Sequence, residues 1–331
     1  MNNKCSGLID SFGRSIDYLR VSVTDRCDLR CRYCLPEKFK DFTTPDHWLT
    51  IDEVTRVVDA FAVLGVKRVR LTGGEPLLRH DLPQLANQLK HIQGIDDLSL
   101  SSNCTRMSQL ADHLYSAGIR RLNVSLDTLR AERYREITGG GKLDKALSGI
   151  EAARTCGFDP IKINTVLMRG VNDDEVDDLL NYCAENGFIL RLIESMPVGR
   201  PGQRAHKSYI DLQEVRHSLE QRYELIRELL PGGGPASYFK VADLNVHFGL
   251  ITPISQHFCE SCNRLRLTVD GTLHLCLGQN HQYPLRDILR SGVTDGELGD
   301  HIRAAVALKP ERHEFKERPE QVVHFMSSTG G

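Results

Sequence analysis

The sequence predicts an α/β chain: an incomplete (βα)6 barrel of the TIM type, with a C-terminal α+β region covering its lateral opening. Three observations lead there. Strand-like and helix-like patterns alternate six times between residues 17 and 194. The rhythm breaks at Pro197, Gly199, Pro201 and Gly202, short of the eight units that close a full barrel. No G-x-G-x-x-G follows any strand, which argues against an open dinucleotide-binding sheet. The boundary is set at 197, giving segments 1–197 and 198–331.

The elements follow in order. Leu19-Arg20-Val21-Ser22-Val23 reads as a first strand. Thr50 and Glu53 form a capping box ahead of a helix with Ile51, Val54, Val57, Val58, Phe61 and Leu64 on one face. Val66–Leu71 is a second strand, ended by Thr72-Gly73-Gly74. Leu98–Ser101, Ile119–Leu126, Ile161–Leu167 and Phe188–Ile193 are the third to sixth. Asn172 and Glu175 are expected to cap the helix carrying Val176, Leu179, Leu180, Cys183 and Ala184. Residues 198–208 and Pro231–Pro235 read as loops, and Arg264–Val269 as a strand. Asp270-Gly271 reads as a two-residue hairpin turn that sets Cys276 opposite Leu265. Helical patterns return at about 284–307.

Forty-two basic and 44 acidic side chains leave a formal charge of −2, which speaks against bulk binding to nucleic acid or an acidic membrane. The N-terminus lacks a signal-peptide apolar core, and no apolar run is long enough to span a bilayer. A cytoplasmic protein is expected, so the ten cysteines need a reason other than disulfides. Cys5, Cys104, Cys156 and Cys183 are scattered and read as small apolar residues. The other six form two groups.

Cys27, Cys31 and Cys34 follow the first strand in C-x3-C-x2-C spacing. Three thiolates can hold three irons of a four-iron cluster and leave the fourth free for a small molecule. Zinc, or chance, is the alternative. The run Cys27-Asp28-Leu29-Arg30-Cys31-Arg32-Tyr33-Cys34, with Gly73-Gly74-Glu75-Pro76 after the second strand, resembles the signature of radical S-adenosylmethionine enzymes. The resemblance implies that the open iron binds S-adenosylmethionine and that one electron cleaves it to a 5′-deoxyadenosyl radical. It also implies cofactor contacts at Tyr33, Gly74 and Ser125. All of these lie at C-terminal strand ends, where barrel enzymes build their sites.

Cys259 and Cys262 are joined by Cys276 across the hairpin. Zinc, with His257, His274 or His281 as fourth ligand, stays open as an alternative to a second cluster. An auxiliary-cluster domain of peptide-modifying enzymes is a further rival. Two three-cysteine groups at opposite ends of the chain resemble the GTP 3′,8-cyclases of molybdenum cofactor biosynthesis. So do Ser22–Cys27, Asn123-Val124-Ser125-Leu126-Asp127, Phe248-Gly249-Leu250-Ile251-Thr252 and the final Gly330-Gly331. That likeness implies a lyase with two 4Fe–4S clusters and S-adenosylmethionine as cofactors, and with GTP and an electron donor as partners. It allows a homodimer, and it implies that the product passes to the next enzyme of the pathway.

Buried basic side chains need an anion. Arg20, Arg70, Lys162 and Arg191 fall in the barrel strands, while Arg264 and Arg266 share one face of the hairpin strand. A triphosphate supplies such a partner, whereas singly each basic residue is more often a salt bridge. The resemblance implicates Arg20, Arg70, Ser101, Lys162, Arg264, Leu265 and Arg266 in GTP binding, and Met196 in S-adenosylmethionine binding. Arg191 is a further phosphate-side candidate. The resemblance also implies that Gly330 and Gly331 reach the active site; Arg264 and Arg266 are candidates for assisting the last step.

Overall fold

Leu19 and Val21 are fully buried on one side of the first strand, while Arg20 and Ser22 point to the other; this alternation repeats in the following strands. The computed structural model describes residues 7–36 and 38–330. Six strands lie parallel in chain order: β1 (Tyr18–Ser22), β2 (Arg68–Thr72), β3 (Asp97–Ser102), β4 (Arg121–Ser125), β5 (Ile161–Leu167) and β6 (Ile189–Glu194). Helices α1 (Ile51–Val63), α2 (Leu82–Leu89), α3 (Met107–Ser116), α4 (Ala131–Thr138), α5 (Leu143–Thr155) and α6 (Val176–Asn186) connect them and cover the outer face. The expected half-barrel is therefore present. Among the described residues no helix is long and apolar enough to cross a membrane.

The C-terminal region does more than cover the opening. Helices α7 (Gly199–Ala205) and α8 (Leu212–Glu220) lead to β7 (Leu225–Glu228), β8 (Ser237–Val241) and β9 (Val246–Ile251), and β9 pairs parallel with β6. At the other edge β10 (Arg264–Leu267) pairs parallel with β1 and then antiparallel with β11 (Thr272–His274). After β12 (Gln282–Pro284) come α9 (Leu285–Arg290), α10 (Asp295–Ala307) and the short α11 (Met326–Thr329). One sheet of twelve strands thus carries both cysteine regions.

Three local expectations are corrected. Residues 199–205 are helical, although they read as a loop. Pro201 lies in the first turn, where its missing N–H has no intrahelical acceptor to serve. The glycines serve close packing: a Cβ at Gly199 would lie 2.8 Å from the His324 carbonyl oxygen, and one at Gly202 2.6 Å from that of Met196. Asn172 does not cap α6. Its carboxamide accepts from Met168 N at 2.8 Å and donates to the carbonyls of Asp127 and Val166. Glu175 is buried and accepts from Thr128 Oγ1 and Leu129 N instead of capping the helix. The hairpin register is displaced by one residue: Arg266 faces His274, because Gly271 takes a φ of +81° as the third loop residue between Thr268 and Thr272. Continued, that register sets Cys276 against Arg264, not Leu265.

The capping box of α1 is as expected. Thr50 Oγ1 accepts from Glu53 N at 3.1 Å and Glu53 Oε2 from Thr50 N at 2.8 Å. Thr50→Ala should cost about 1 kcal/mol in thermal unfolding without changing activity.

Candidate functional site

One cavity, with about 1920 Å³ of space between its walls and open mouth included, runs through the half-barrel. All six grouped cysteines line it. Cys27, Cys31 and Cys34 follow the C-terminal end of β1. Cys262 precedes the N-terminal end of β10, which runs parallel to β1 with Tyr18 level with Arg264. The two sets therefore sit toward opposite ends of the cavity. Four residue steps, about 13 Å of rise, separate Tyr18 from Ser22 along β1.

The first cysteine loop is held by backbone bonds that do not use its sulfurs. Arg30 N donates to Thr138 O at 2.8 Å and Arg32 N to Ile137 O at 2.9 Å, at the end of α4. Leu29 N points at Cys27 Sγ at 3.4 Å. Burial pushes the Cys27 and Cys31 thiols far up and Cys34 up to about 12, so thiolates here call for a bound cation. In the second set burial raises Cys259 and Cys276, but at Cys262 Lys309 and Arg264 outweigh burial and hold the thiol below its ordinary value. Each described cysteine is free. Among the described residues no three His, Cys, Asp or Glu side chains converge as ligands of one metal ion. A polynuclear iron–sulfur cluster does not need that convergence, since each sulfur takes a different iron. Of the histidines weighed as zinc ligands, His274 packs against the His324 ring at 5.1 Å and His257 against His313 at 6.2 Å.

Tyr33, Gly74, Ser125 and Met196 all line the cavity at the first-cysteine end. Tyr33 donates its hydroxyl to Asp127 Oδ2 at 2.8 Å, which fixes the ring. A Cβ at Gly74 would lie 2.2 Å from the Arg26 carbonyl oxygen. Glycine is needed there first to let the end of β2 pack against the cysteine loop.

Between the two ends lies a layer of buried and half-buried cations. Arg20, Arg70, Arg191, Arg264 and Arg266 line the cavity. Burial and the neighbouring Arg266 and Arg70 charges push Arg20 well below the ordinary arginine range. Arg191 is pushed to about 10 by burial and Arg70, and Arg266 to about 10 by burial and Arg264. Arg191 is aimed by Asn164, whose Oδ1 accepts from Nε at 2.7 Å, and by Asn123. Arg70, Arg191, Arg264 and Arg266 form no salt bridge with a described carboxylate. Arg68 and Arg121, at the lower rim, are neutralised by Asp17 and Asp97. Ser101 lines the cavity, and its hydroxyl has no partner among the described residues.

Two further expected GTP contacts have their own settings. The Leu265 side chain is 1 % exposed and packs in the hydrophobic core, because its strand neighbours Arg264 and Arg266 take the cavity face. Lys162 stands behind the lining and donates to the Tyr238 hydroxyl at 3.1 Å. Near the C-terminus Thr329 is fully buried, and Arg266 donates to the carbonyls of Thr329 and Gly330. Gly331 and Cys5 lie outside the described residues.

The sequence reading missed several supporting groups. Glu75 accepts from Leu77 N, Ser102 Oγ and Asn103 N, and burial pushes its carboxyl up to about 7. Its signal was a carboxylate directly after a glycine turn. Glu194, fully buried at the end of β6, accepts from Ile254 N at 2.8 Å and Ser255 N at 3.0 Å. It ties the first-cysteine end of the cavity to the segment leading to Cys259. Lys309 donates to Leu275 O and Arg264 O, and Arg14 to Cys259 O, which anchors the second set.

The pattern of the Radical SAM superfamily matches residues 21–183, and that of Molybdenum Cofactor Synthesis C matches residues 188–315. A crystal structure of Streptococcus suis SuiB bound to S-adenosylmethionine shares the fold, with a TM-score of 0.62 at 16 % identity over 87 % of this chain and 68 % of that one. The half-barrel and its cysteine loop make the chain a radical S-adenosylmethionine enzyme. A GTP 3′,8-cyclase of Ectopseudomonas mendocina is 45 % identical over 98 % of both chains. GTP 3′,8-cyclase 1 of Pseudomonas aeruginosa is also 45 % identical, over 98 % of this chain and 99 % of its own. The chain belongs to the GTP 3′,8-cyclase family.

Proposed function

We propose that the chain converts GTP to (8S)-3′,8-cyclo-7,8-dihydroguanosine 5′-triphosphate, the first step of molybdenum cofactor biosynthesis. The supporting observation is a single cavity with a three-thiol set toward each end and a layer of arginines between them. Cys27, Cys31 and Cys34 would hold one 4Fe–4S cluster, and Cys259, Cys262 and Cys276 the other. When bound, the first would supply the electron for cleavage of S-adenosylmethionine, and the second would anchor the guanine base.

The chain's own residues position the reactants. Tyr33, held by Asp127, with Gly74, Ser125 and Met196, orients S-adenosylmethionine. Arg20, Arg70, Ser101, Arg191, Arg264 and Arg266 grip GTP by charge-assisted bonds, so that C3′ of the ribose faces the 5′-deoxyadenosyl group. Lys162 adds charge from behind this layer, and Leu265 contributes through its backbone. The tail, which Arg266 holds at Thr329 and Gly330, closes the site. On this reading residues 1–197 carry the radical chemistry and part of the GTP grip, and 198–331 carry the second cluster, Arg264, Arg266 and the tail. An external electron donor reduces the clusters, the thiol-rich chain works in the cytoplasm, and a homodimer is compatible with this reading.

The test is an anaerobic reaction with dithionite, S-adenosylmethionine and GTP deuterated at C3′. Deuterium is expected in 5′-deoxyadenosine; 5′-deoxyadenosine formed without it refutes the substrate assignment and leaves the cofactor assignment standing.

A further inference from the structure

Tyr18 opens β1 and is 3 % exposed, yet its ring lines the cavity instead of joining the core beneath the helices. Its register partners are Arg68 and Arg264, two residues below the level of Arg20, Arg70 and Arg266. The guanidinium carbons of Arg70 and Arg264 stand 5.4 and 5.9 Å from the ring centroid. The phenolic oxygen is buried and has no hydrogen-bond partner among the described residues. Buried hydroxyls are seldom left unpaired, and those that are call for an explanation.

The neighbourhood explains why no side chain answers it. A guanidinium has only donors, so the surrounding arginines cannot accept the phenolic proton. The carboxylate at this level, Asp17, is already engaged by Arg68 and Asn263. A multivalent oxyanion would satisfy the hydroxyl and the guanidiniums together, since each phosphate oxygen accepts more than one bond.

We propose that Tyr18 is a further substrate ligand, its phenol donating a hydrogen bond to a phosphate oxygen that the Arg70 and Arg264 guanidiniums flank. This rests on the cyclase reading and adds to it a neutral donor that recognises the phosphate chain.

Tyr18→Phe removes the hydroxyl and keeps the ring. Affinity is measured by calorimetry on anaerobic protein with both clusters loaded, using GTP and, as a phosphate-free probe, guanosine. The dissociation constant for GTP should rise about tenfold while that for guanosine is unchanged. The ligand-free melting temperature should hold or rise, because an unmade buried bond has been removed. Unchanged GTP affinity overturns the proposal. Equal losses for GTP and guanosine, with a lower melting temperature or without one, overturn it as well, since they mark a structural or base-contacting role. Deuterium transfer by the unsubstituted enzyme is run alongside. Its absence defeats the cyclase reading itself, whereas its presence beside an unaltered variant defeats the Tyr18 assignment alone.

Discussion

Cys31→Ala should reduce 5′-deoxyadenosine formation to background while the protein stays folded. The loop around Cys31 is fastened to the end of α4 through the backbone of Arg30 and Arg32, and these bonds survive loss of the sulfur. What disappears is one of three thiolates that would hold the cluster, and two do not retain it against solvent and oxidant. Iron should fall by about four atoms per chain, as expected for one four-iron centre. Cys262→Ala should lose the same amount of iron but still cleave S-adenosylmethionine under dithionite, because the first set is intact at the other end of the cavity. Its GTP turnover should vanish. Iron analysis and product chromatography separate the two variants, and identical behaviour would contradict the division of roles.

The second large effect is expected at Gly330. Its φ of +75° lies in the left-handed region, and a Cβ there would stand 2.2 Å from Thr72 Cγ2. Thr72 ends β2 and lines the cavity, so even alanine must push the tail away from the substrate space. The carbonyls of Thr329 and Gly330 would then leave the Arg266 guanidinium, whose charge is poorly tolerated in its buried place. A shift of about 1 Å can cost on the order of 10²-fold in rate when geometry is decisive. Gly330→Ala is expected to lose at least that in GTP turnover, with S-adenosylmethionine cleavage retained. Deuterium transfer to 5′-deoxyadenosine is the readout.

Local patterns were legible wherever a residue's neighbours in sequence decide its conformation. The β5 strand falls at 161–167 as read, and the Thr50–Glu53 box is formed. Both cysteine sets and the arginine layer followed from spacing and family likeness, and all of those cysteines line the cavity. The misreadings share a cause: distant partners decide the outcome. Gly199 and Gly202 look like loop residues until the carbonyls of His324 and Met196 press on them. Asp270-Gly271 looks like a two-residue turn, but Thr268 closes the hairpin one residue earlier. Tyr18 gave no signal, since its meaning lies in an unpaired hydroxyl that only the folded chain exposes. Cys104 is buried with a left-handed φ of 61°, a conformation that favours glycine, and nothing in the structure explains the cysteine.

The parallel core owes both of its borders to the last part of the chain: β9 seals one side and β10 the other. During synthesis, residues 18–194 leave the ribosome as six parallel strands whose outer backbone groups have no neighbours until some fifty to seventy further residues have emerged. Raw borders of this kind invite pairing with other nascent chains. The N-terminal half is thus not a self-sufficient module to which a second has been appended. Severed after its sixth strand, it should aggregate, and co-expression with the remainder should rescue solubility only as far as the two fragments find each other.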